Sequence, residues 1–296
     1  MWPLSRVLPA LLVAAVALVA GGCGGSSTGS STGSGSSSGP VDGQVANGPP
    51  SARPSAPAAR QRTPGPPSHA AVPVLMYHVI APAPAGAKYA GLWVAPAALR
   101  AQVAALATAG YTGVTLDRVL DAWEGRDALP PHPVVLSFDD GYLSQGTAAG
   151  AVLRAAGWPG VLNLAWHNLG APGGLTAGRV RTMIADGWEI DAHSLTHPDL
   201  TTLDPAGVRR EIAGSRAEIR RAFGVAADAF CYPAGRFDPA VEAAVRAAGY
   251  RAATTERPGA ARPRDDHYAL PRIRVSAGDP SAAVVSSVRA AVGSGA

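Results

Sequence analysis

Lysine is almost missing from this chain. Lys88 stands alone among 25 cationic residues, and the other cations are arginine. Charged residues make up only 16% and aromatic residues 6%, so the formal charge of +4 is not gathered into a basic stripe with interleaved aromatics. No recognised nucleic-acid motif occurs, and no nucleic-acid partner is expected. Cysteine is equally scarce. Cys23 follows an apolar leader, which leaves Cys231 as the one thiol for the remaining chain. An internal disulfide is therefore excluded, and the folded part must be held by its core alone. Cys231 lies in the apolar stretch Ala229-Phe-Cys-Tyr232 and reads as a buried, inert thiol rather than a nucleophile. Long apolar runs are also lacking. The one candidate, Val7 to Ala20, falls short of the roughly 20 residues of a membrane span.

What is present at the N-terminus is a targeting pattern. Arg6 precedes the apolar run, and Gly21-Gly22-Cys23 follows it, as in a signal peptide. Ala20-Gly-Gly-Cys23 resembles the lipobox of bacterial lipoproteins, with Ala20 in place of the usual leucine. The resemblance implies cleavage before Cys23 and a lipid anchor on it, hence an extracytoplasmic, membrane-anchored protein; plain secretion is the alternative. Residues 24–70 are Ser, Gly, Thr, Pro and Ala with few large apolar side chains. Such a stretch cannot bury enough surface to offset its ordering entropy. It is expected to be a disordered tether, stiffer where proline takes over from glycine and serine. The expected organisation is a leader over residues 1–23, a tether over 24–70 and one catalytic domain over 71–296.

From residue 71 onward, short apolar runs alternate with helix-like segments. Strands are expected at Val72–Tyr77, Tyr111–Thr115, Val134–Phe138, Gly160–Ala165, Trp188–Ala192, Ala229–Tyr232 and Arg251–Thr254. Helices are expected at Pro96–Gly110, Leu116–Glu124, Thr147–Ala156, Thr176–Asp186, Asp204–Phe223 and Asp238–Ala248, with a last one opened by Asp279-Pro280. In the longest, Asp204 reads as the N-cap and Pro205 as the first turn. Repeated βα units predict an α/β fold with a parallel sheet. About seven units over some 220 residues favour closure into a distorted barrel, with its active face at the C-terminal ends of the strands.

The sharpest local signal is Val134-Val-Leu-Ser-Phe-Asp-Asp-Gly-Tyr142. A buried strand stops at two adjacent carboxylates, which repel each other unless something cationic holds them. His193-Ser-Leu-Thr-His197-Pro198 supplies two imidazoles in a strand-end loop, without the glutamate of a metalloprotease helix. Asp140, His193 and His197 together make a three-ligand set of the kind that binds a catalytic divalent metal, with Zn2+ as the default. Asp139 is then free to act as base towards the attacking water.

At these residues the chain resembles the polysaccharide deacetylases of carbohydrate esterase family four. Ser137-Phe-Asp-Asp-Gly141 is similar to that family's first motif and His193-Ser-Leu-Thr-His-Pro198 to its second. The resemblance implies metal-dependent removal of acetyl from N-acetylglucosamine-containing polysaccharide, such as peptidoglycan, poly-N-acetylglucosamine or chitin. Asp139 would be the base, and Asp140, His193 and His197 the ligands. The third motif departs from the commonest form. Cys231-Tyr-Pro-Ala-Gly235 has Cys231 for the usual arginine and Ala234 for a tyrosine. Phe230 to Gly235 does fit a subgroup with Phe-x-Tyr-Pro-x-Gly. The backbone N–H of Ala234 would still serve as oxyanion donor, and Arg272 in Leu270-Pro-Arg-Ile-Arg274 is the candidate replacement cation.

The family's late Leu-x-His motif has no match, and His267 stands in the wrong order before Leu270. Pro73-Val-Leu-Met-Tyr-His78 instead resembles the opening of the poly-N-acetylglucosamine deacetylase subgroup, which makes His78 the candidate general acid. His69, His132 and His167 show no partner pattern. Trp93, Trp166 and Trp188 are candidates for sugar stacking, against a bland reading as core or rim. The competing functions are an acetylxylan esterase or another amide or ester hydrolase of the same fold, a catalytically silent carbohydrate-binding lipoprotein, and a non-haem iron oxygenase. A monomer is expected.

Overall fold

The computed structural model describes residues 62–294. Among the described residues nine strands are formed: β1 (Val72–Tyr77), β2 (Thr112–Val114), β3 (Pro133–Asp140), β4 (Val161–Leu164), β5 (Glu189–Ala192), β6 (Ala229–Cys231), β7 (Ala252–Pro258), β8 (Ala260–Ala261) and β9 (Leu270–Arg274). The helices are α1 (Pro96–Thr108), α2 (Leu116–Trp123), α3 (Gly150–Ala156), α4 (Ala177–Ala185), α5 (Pro205–Phe223), α6 (Pro239–Ala247) and α7 (Ser281–Gly293). Helix ends carry the chemistry expected of them. The Asp204 side chain accepts from Gly207 N–H, Asp238 accepts from Val241 N–H, and Gly224 closes α5 at φ 73°.

Seven parallel strands close a ring in the order β1-β3-β4-β5-β6-β7-β9 and back to β1. The expected barrel is therefore present, but its seventh strand is not the one the sequence suggested. β2 pairs only with the first residues of β3, while β1 pairs with Val135 to Phe138 of the same strand. The ring is completed by β9, which the apolar pattern does not reveal. Pro271, Arg272 and Arg274 interrupt its hydrophobicity, because Arg272 points inward and is 1% exposed.

Strand alternation separates two cores. Leu75, Tyr77, Leu136, Phe138, Leu162 and Ile190 face outward under the helices. Val72, Val74, Val135, Val161, Ala229, Ala252 and Leu270 pack together with Leu116, Val119, Leu120 and Trp123 of α2. This inner core lies at the N-terminal ends of the strands, so α2 forms the floor of the barrel. Polar side chains one or two positions further along the same strands then face the upper interior.

The end of the expected tether is ordered against that floor. Gly65 N–H donates to Gly125 C=O, Ser68 N–H to Ala122 C=O, and Trp123 Nε1–H to Ala70 C=O. Arg62 Nε lies 2.8 Å from the fully buried Asp121 carboxylate, which Arg126 and Arg251 also contact. Residues 62–70 thus belong to the folded unit rather than to a disordered linker. Their few apolar atoms are compensated by the α2 groups they satisfy. The candidate anchor Cys23 and residues 24–61 lie outside the described residues.

Candidate metal centre and catalytic pocket

Asp139 and Asp140 end β3, and the backbone there leaves the ordinary regions. Asp140 has φ 81° and Gly141 φ 93°. A Cβ on Gly141 would sit 2.6 Å from Leu164 Cδ1, so only glycine permits the turn that sends two neighbouring carboxylates in different directions. Asp140 turns towards the histidines. Its Oδ1 lies 3.5 Å from Nε2 of His193 and 3.5 Å from Nε2 of His197, and the two Nε2 atoms are 3.2 Å apart. Tetrahedral bonds of about 2.0–2.1 Å to a zinc-sized ion place donor atoms roughly 3.3 Å apart. The triangle therefore has the right size for one divalent cation.

The ring orientations agree with this. His193 Nδ1–H is 2.7 Å from Cys231 C=O, which leaves Nε2 as the free donor atom. Burial works against the charged form of His193, but Cys231 and the Asp140 carboxylate outweigh it and raise the imidazole well above its ordinary value. His197 is lowered, first by burial and then by His193 beside it. Burial also opposes charge on Asp140, yet the hydrogen bond and charge of His193 hold its carboxyl below the usual range. A metal must displace these protons, so affinity at the site falls in acid.

Asp139 turns the other way, into the barrel. Arg272 reaches it across the interior from β9 with two parallel bonds, Nη1 to Oδ1 and Nη2 to Oδ2, each 2.8 Å. Asn163 Nδ2 donates to Oδ1 at 2.7 Å, and His78 Nε2 stands 3.9 Å from Oδ2. Burial alone would raise the Asp139 carboxyl, but the Arg272 charge and its hydrogen bonds override it and hold it well below the usual carboxylate range. His78 is pushed below its ordinary value, chiefly by burial, with Asp139 and Asp140 opposing and Arg272 and Arg274 reinforcing.

A second cluster, Asp139, His193 and Cys231, also brings donor atoms together. It is the poorer metal site. Arg272 already occupies both Asp139 oxygens and lies 3.2 Å from Cys231 Sγ, and His193 turns Nδ1 to a backbone carbonyl there.

The structure thus gathers Asp139, Asp140, His193, His197, His78 and Arg272 at one mouth. Ala234 lies on the loop just after β6, exposed, with φ 51°. Other candidates are elsewhere. Trp188 is buried against Phe138, and Trp166 meets Phe223 edge-on. Trp93 is partly buried and bridges to Val79, next to His78. His132 packs on Tyr111, and His267 on Trp123.

Sequence reading missed several supporting groups. Asn163 is a lone amide in the apolar strand Val161-Leu-Asn-Leu164, in register with Asp139, and that pattern was a usable signal. Gln145 Nε2 donates to the carbonyls of both His78 and Asp139, and Asn168 Nδ2 donates to Asp140 C=O. Tyr142, adjacent to the motif, hydrogen-bonds Asp140; burial and that carboxylate push its hydroxyl up to about 12.

Comparison with known proteins agrees with the geometry. Residues 126–253 match the family model described as polysaccharide deacetylase. YxkH of Bacillus subtilis (strain 168), named as a polysaccharide deacetylase, is 30% identical over 210 residues, covering 71% of this chain and 73% of that one. The poly-beta-1,6-N-acetyl-D-glucosamine N-deacetylase of Escherichia coli (strain K12) is 44% identical over 64 residues, 22% of this chain and 10% of that protein. Among solved structures, the Streptococcus pyogenes deacetylase PplD, in complex with acetate, superposes with a TM-score of 0.70. It covers 75% of this chain and 99% of that one at 22% identity, a likeness of fold.

Proposed function

The chain belongs to the polysaccharide deacetylase family, and from that premise we propose that it removes N-acetyl groups from N-acetylglucosamine-containing envelope polysaccharide with the help of one divalent metal ion. The observation that carries this reading is the pairing of two opposed carboxylates: Asp140 in a metal-sized triangle with His193 and His197, and Asp139 locked on Arg272. The likeness to a poly-N-acetylglucosamine deacetylase supports the substrate class.

Asp140, His193 and His197 would hold the ion. When bound, it would supply a Lewis acid for the acetyl carbonyl and lower the pKa of water in the pocket. Asp139 accepts the proton of the water that attacks the carbonyl carbon. Its tie to Arg272 holds it in the ionised form that can accept a proton, and Asn163 Nδ2 occupies one position on Oδ1. The backbone N–H of Ala234 donates to the carbonyl oxygen as it gains charge. His78 delivers a proton to the departing amine nitrogen, and the acetyl group leaves as acetate. Burial lowers His78 below its ordinary value, so the proton it delivers is resupplied from within the pocket, where Asp139 stands 3.9 Å away.

The N-terminal lipobox-like Cys23 supports a lipid anchor on an extracytoplasmic membrane face, with the domain acting as a monomer on glycan within reach of its tether. Cys23→Ala should move the protein from membrane to soluble fractions. The catalytic reading is tested by acetate release from peptidoglycan fragments, poly-N-acetylglucosamine and chitin oligomers, before and after chelation and Zn2+ restoration. Release that depends on metal from at least one polymer is expected. Full activity after exhaustive chelation would overturn the metal, and no release from any would overturn the substrate class.

A further inference from the structure

The loop that presents both histidines is bent against its own preference. Ser194 has φ 66° and His197 φ 58°, left-handed values that non-glycine residues adopt only when their surroundings force them. The force comes from two sides. The β4 end clamps the loop's carbonyls: Trp166 N–H donates to Ser194 C=O and His167 N–H to Leu195 C=O. On the other side, α5 supplies a single carboxylate, Glu211. Its Oε2 accepts Leu195 N–H at 2.9 Å and Thr196 N–H at 2.8 Å, while its Oε1 accepts the Thr196 hydroxyl at 2.8 Å. Ser194 Oγ then takes His197 N–H at 2.8 Å.

Glu211 is 5% exposed, and among the described residues no cation pairs with it. A buried carboxylate without a countercharge is costly unless hydrogen-bond donors surround it, and here the donors come from the segment between the two histidines. One turn further along α5, Gly214 lets the Leu195 side chain lie on the helix; a Cβ there would meet Leu195 Cδ1 at 2.8 Å. Helix and loop are thus built to touch at two successive points.

We propose that Glu211 is a positioning residue for the metal site, holding residues 195–196 so that the Nε2 atoms of His193 and His197 converge on Asp140. The inference rests on the reading of those three residues as ligands. Glu211 makes no hydrogen bond to the side chains of Asp140, His193 or His197. It acts by fixing the backbone turn that separates the two imidazoles, and among the described residues no other side chain from outside the loop hydrogen-bonds the backbone of residues 194–197. Partners that orient ligands typically change metal affinity by roughly 10- to 100-fold when removed.

The test uses the full chain with Glu211→Ala and Glu211→Gln, and Ser215→Ala as a control on the same helix. Ser215 bonds Ile212 C=O and Tyr250 and does not touch the loop. Zn2+ affinity is measured by competition with a chromophoric chelator, and the Co2+-loaded protein is examined by visible absorption. Roughly 10- to 100-fold weaker Zn2+ binding and an altered Co2+ spectrum are expected for Glu211→Ala. Partial rescue is expected in Glu211→Gln, which keeps the shape and one carbonyl acceptor, and Ser215→Ala should bind as wild type. If Glu211→Ala fails to fold, Glu211→Gln alone decides, by a smaller shift in the same direction. Wild-type Zn2+ binding with unchanged affinity and spectrum in the Glu211 variants would overturn this inference alone. Absence of Zn2+ and Co2+ binding by wild type would overturn the ligand assignment and the inference with it.

Discussion

Two aspartates side by side in sequence have opposite environments, and the difference is visible at the level of single atoms. Asp140 faces imidazole nitrogens; Asp139 faces a guanidinium, an amide and a thiol. Asp139→Asn leaves the three candidate ligands untouched and removes the proposed base, so turnover should fall by roughly 10²–10⁴-fold while Zn2+ affinity stays near wild type. The same change strips Arg272 of its buried countercharge, and breaking such a pair costs about 3–5 kcal/mol. The variant should therefore also melt earlier, as thermal unfolding will show. A variant with half the wild-type rate would remove Asp139 from the proton transfer. His78→Ala should lower turnover strongly on N-acetyl sugars and less on activated aryl acetates, whose leaving groups need little protonation. Equal loss on both would assign His78 a positioning role, and no loss on either would exclude it.

The strand β5 contributes more than a route to the histidines. Glu189, at its start, accepts the Asp117 N–H at the N-terminus of α2 and so ties the barrel floor to the wall. Asp191 lies two residues on, with Oδ1 held by Ala229 N–H and Oδ2 without a hydrogen-bond donor. Burial, then the charges of Asp191 and Asp117, raise Glu189 well above the ordinary carboxyl range. Burial raises Asp191 as well, to about 7. A group whose folded pKa is raised contributes stability that is fully present below its unfolded pKa and is lost as pH rises through the folded value. The melting temperature should accordingly decline as pH rises above the ordinary glutamate range, and Glu189→Gln should flatten that slope. An unchanged slope in the variant would show that Glu189 is not responsible.

For the molecule as a whole, the floor and the mouth of the barrel have separate duties. The mouth carries the candidate site, while the floor is sealed by α2 and by residues 62–70 lying across it. Removing residues 1–61 should leave the melting temperature of the domain close to that of the full chain. Removing residues 1–70 takes away the Arg62–Asp121 pair and the hydrogen bonds to Trp123, Ala122 and Gly125. Loss of partners for buried polar groups costs about 1–3 kcal/mol each, so the shorter protein should melt several degrees lower. Equal melting of the two truncations would show that the segment only rests on the surface.

Local order was legible in the sequence because it depends on nearest neighbours. Alternating strands, the helix cap at Asp204 and the turn at Gly141 all follow from residues close together in the chain. The candidate ligands were legible for the same reason: Asp139-Asp140-Gly141 and His193 to His197 are short motifs whose chemistry is local. The α/β barrel class followed from the repetition of such units. What only tertiary structure decided involved long separations. β9 was hidden because its inward residue is an arginine whose partner, Asp139, lies 133 positions earlier. Glu211 and the carbonyl of Cys231 have no local signature, since a helix carboxylate and a backbone oxygen become specific only through what folding brings to them. The ordered segment 62–70 reads as linker by composition. Its partners are backbone groups and the buried Asp121 of α2, and no pattern in residues 62–70 themselves encodes a surface that the rest of the chain creates.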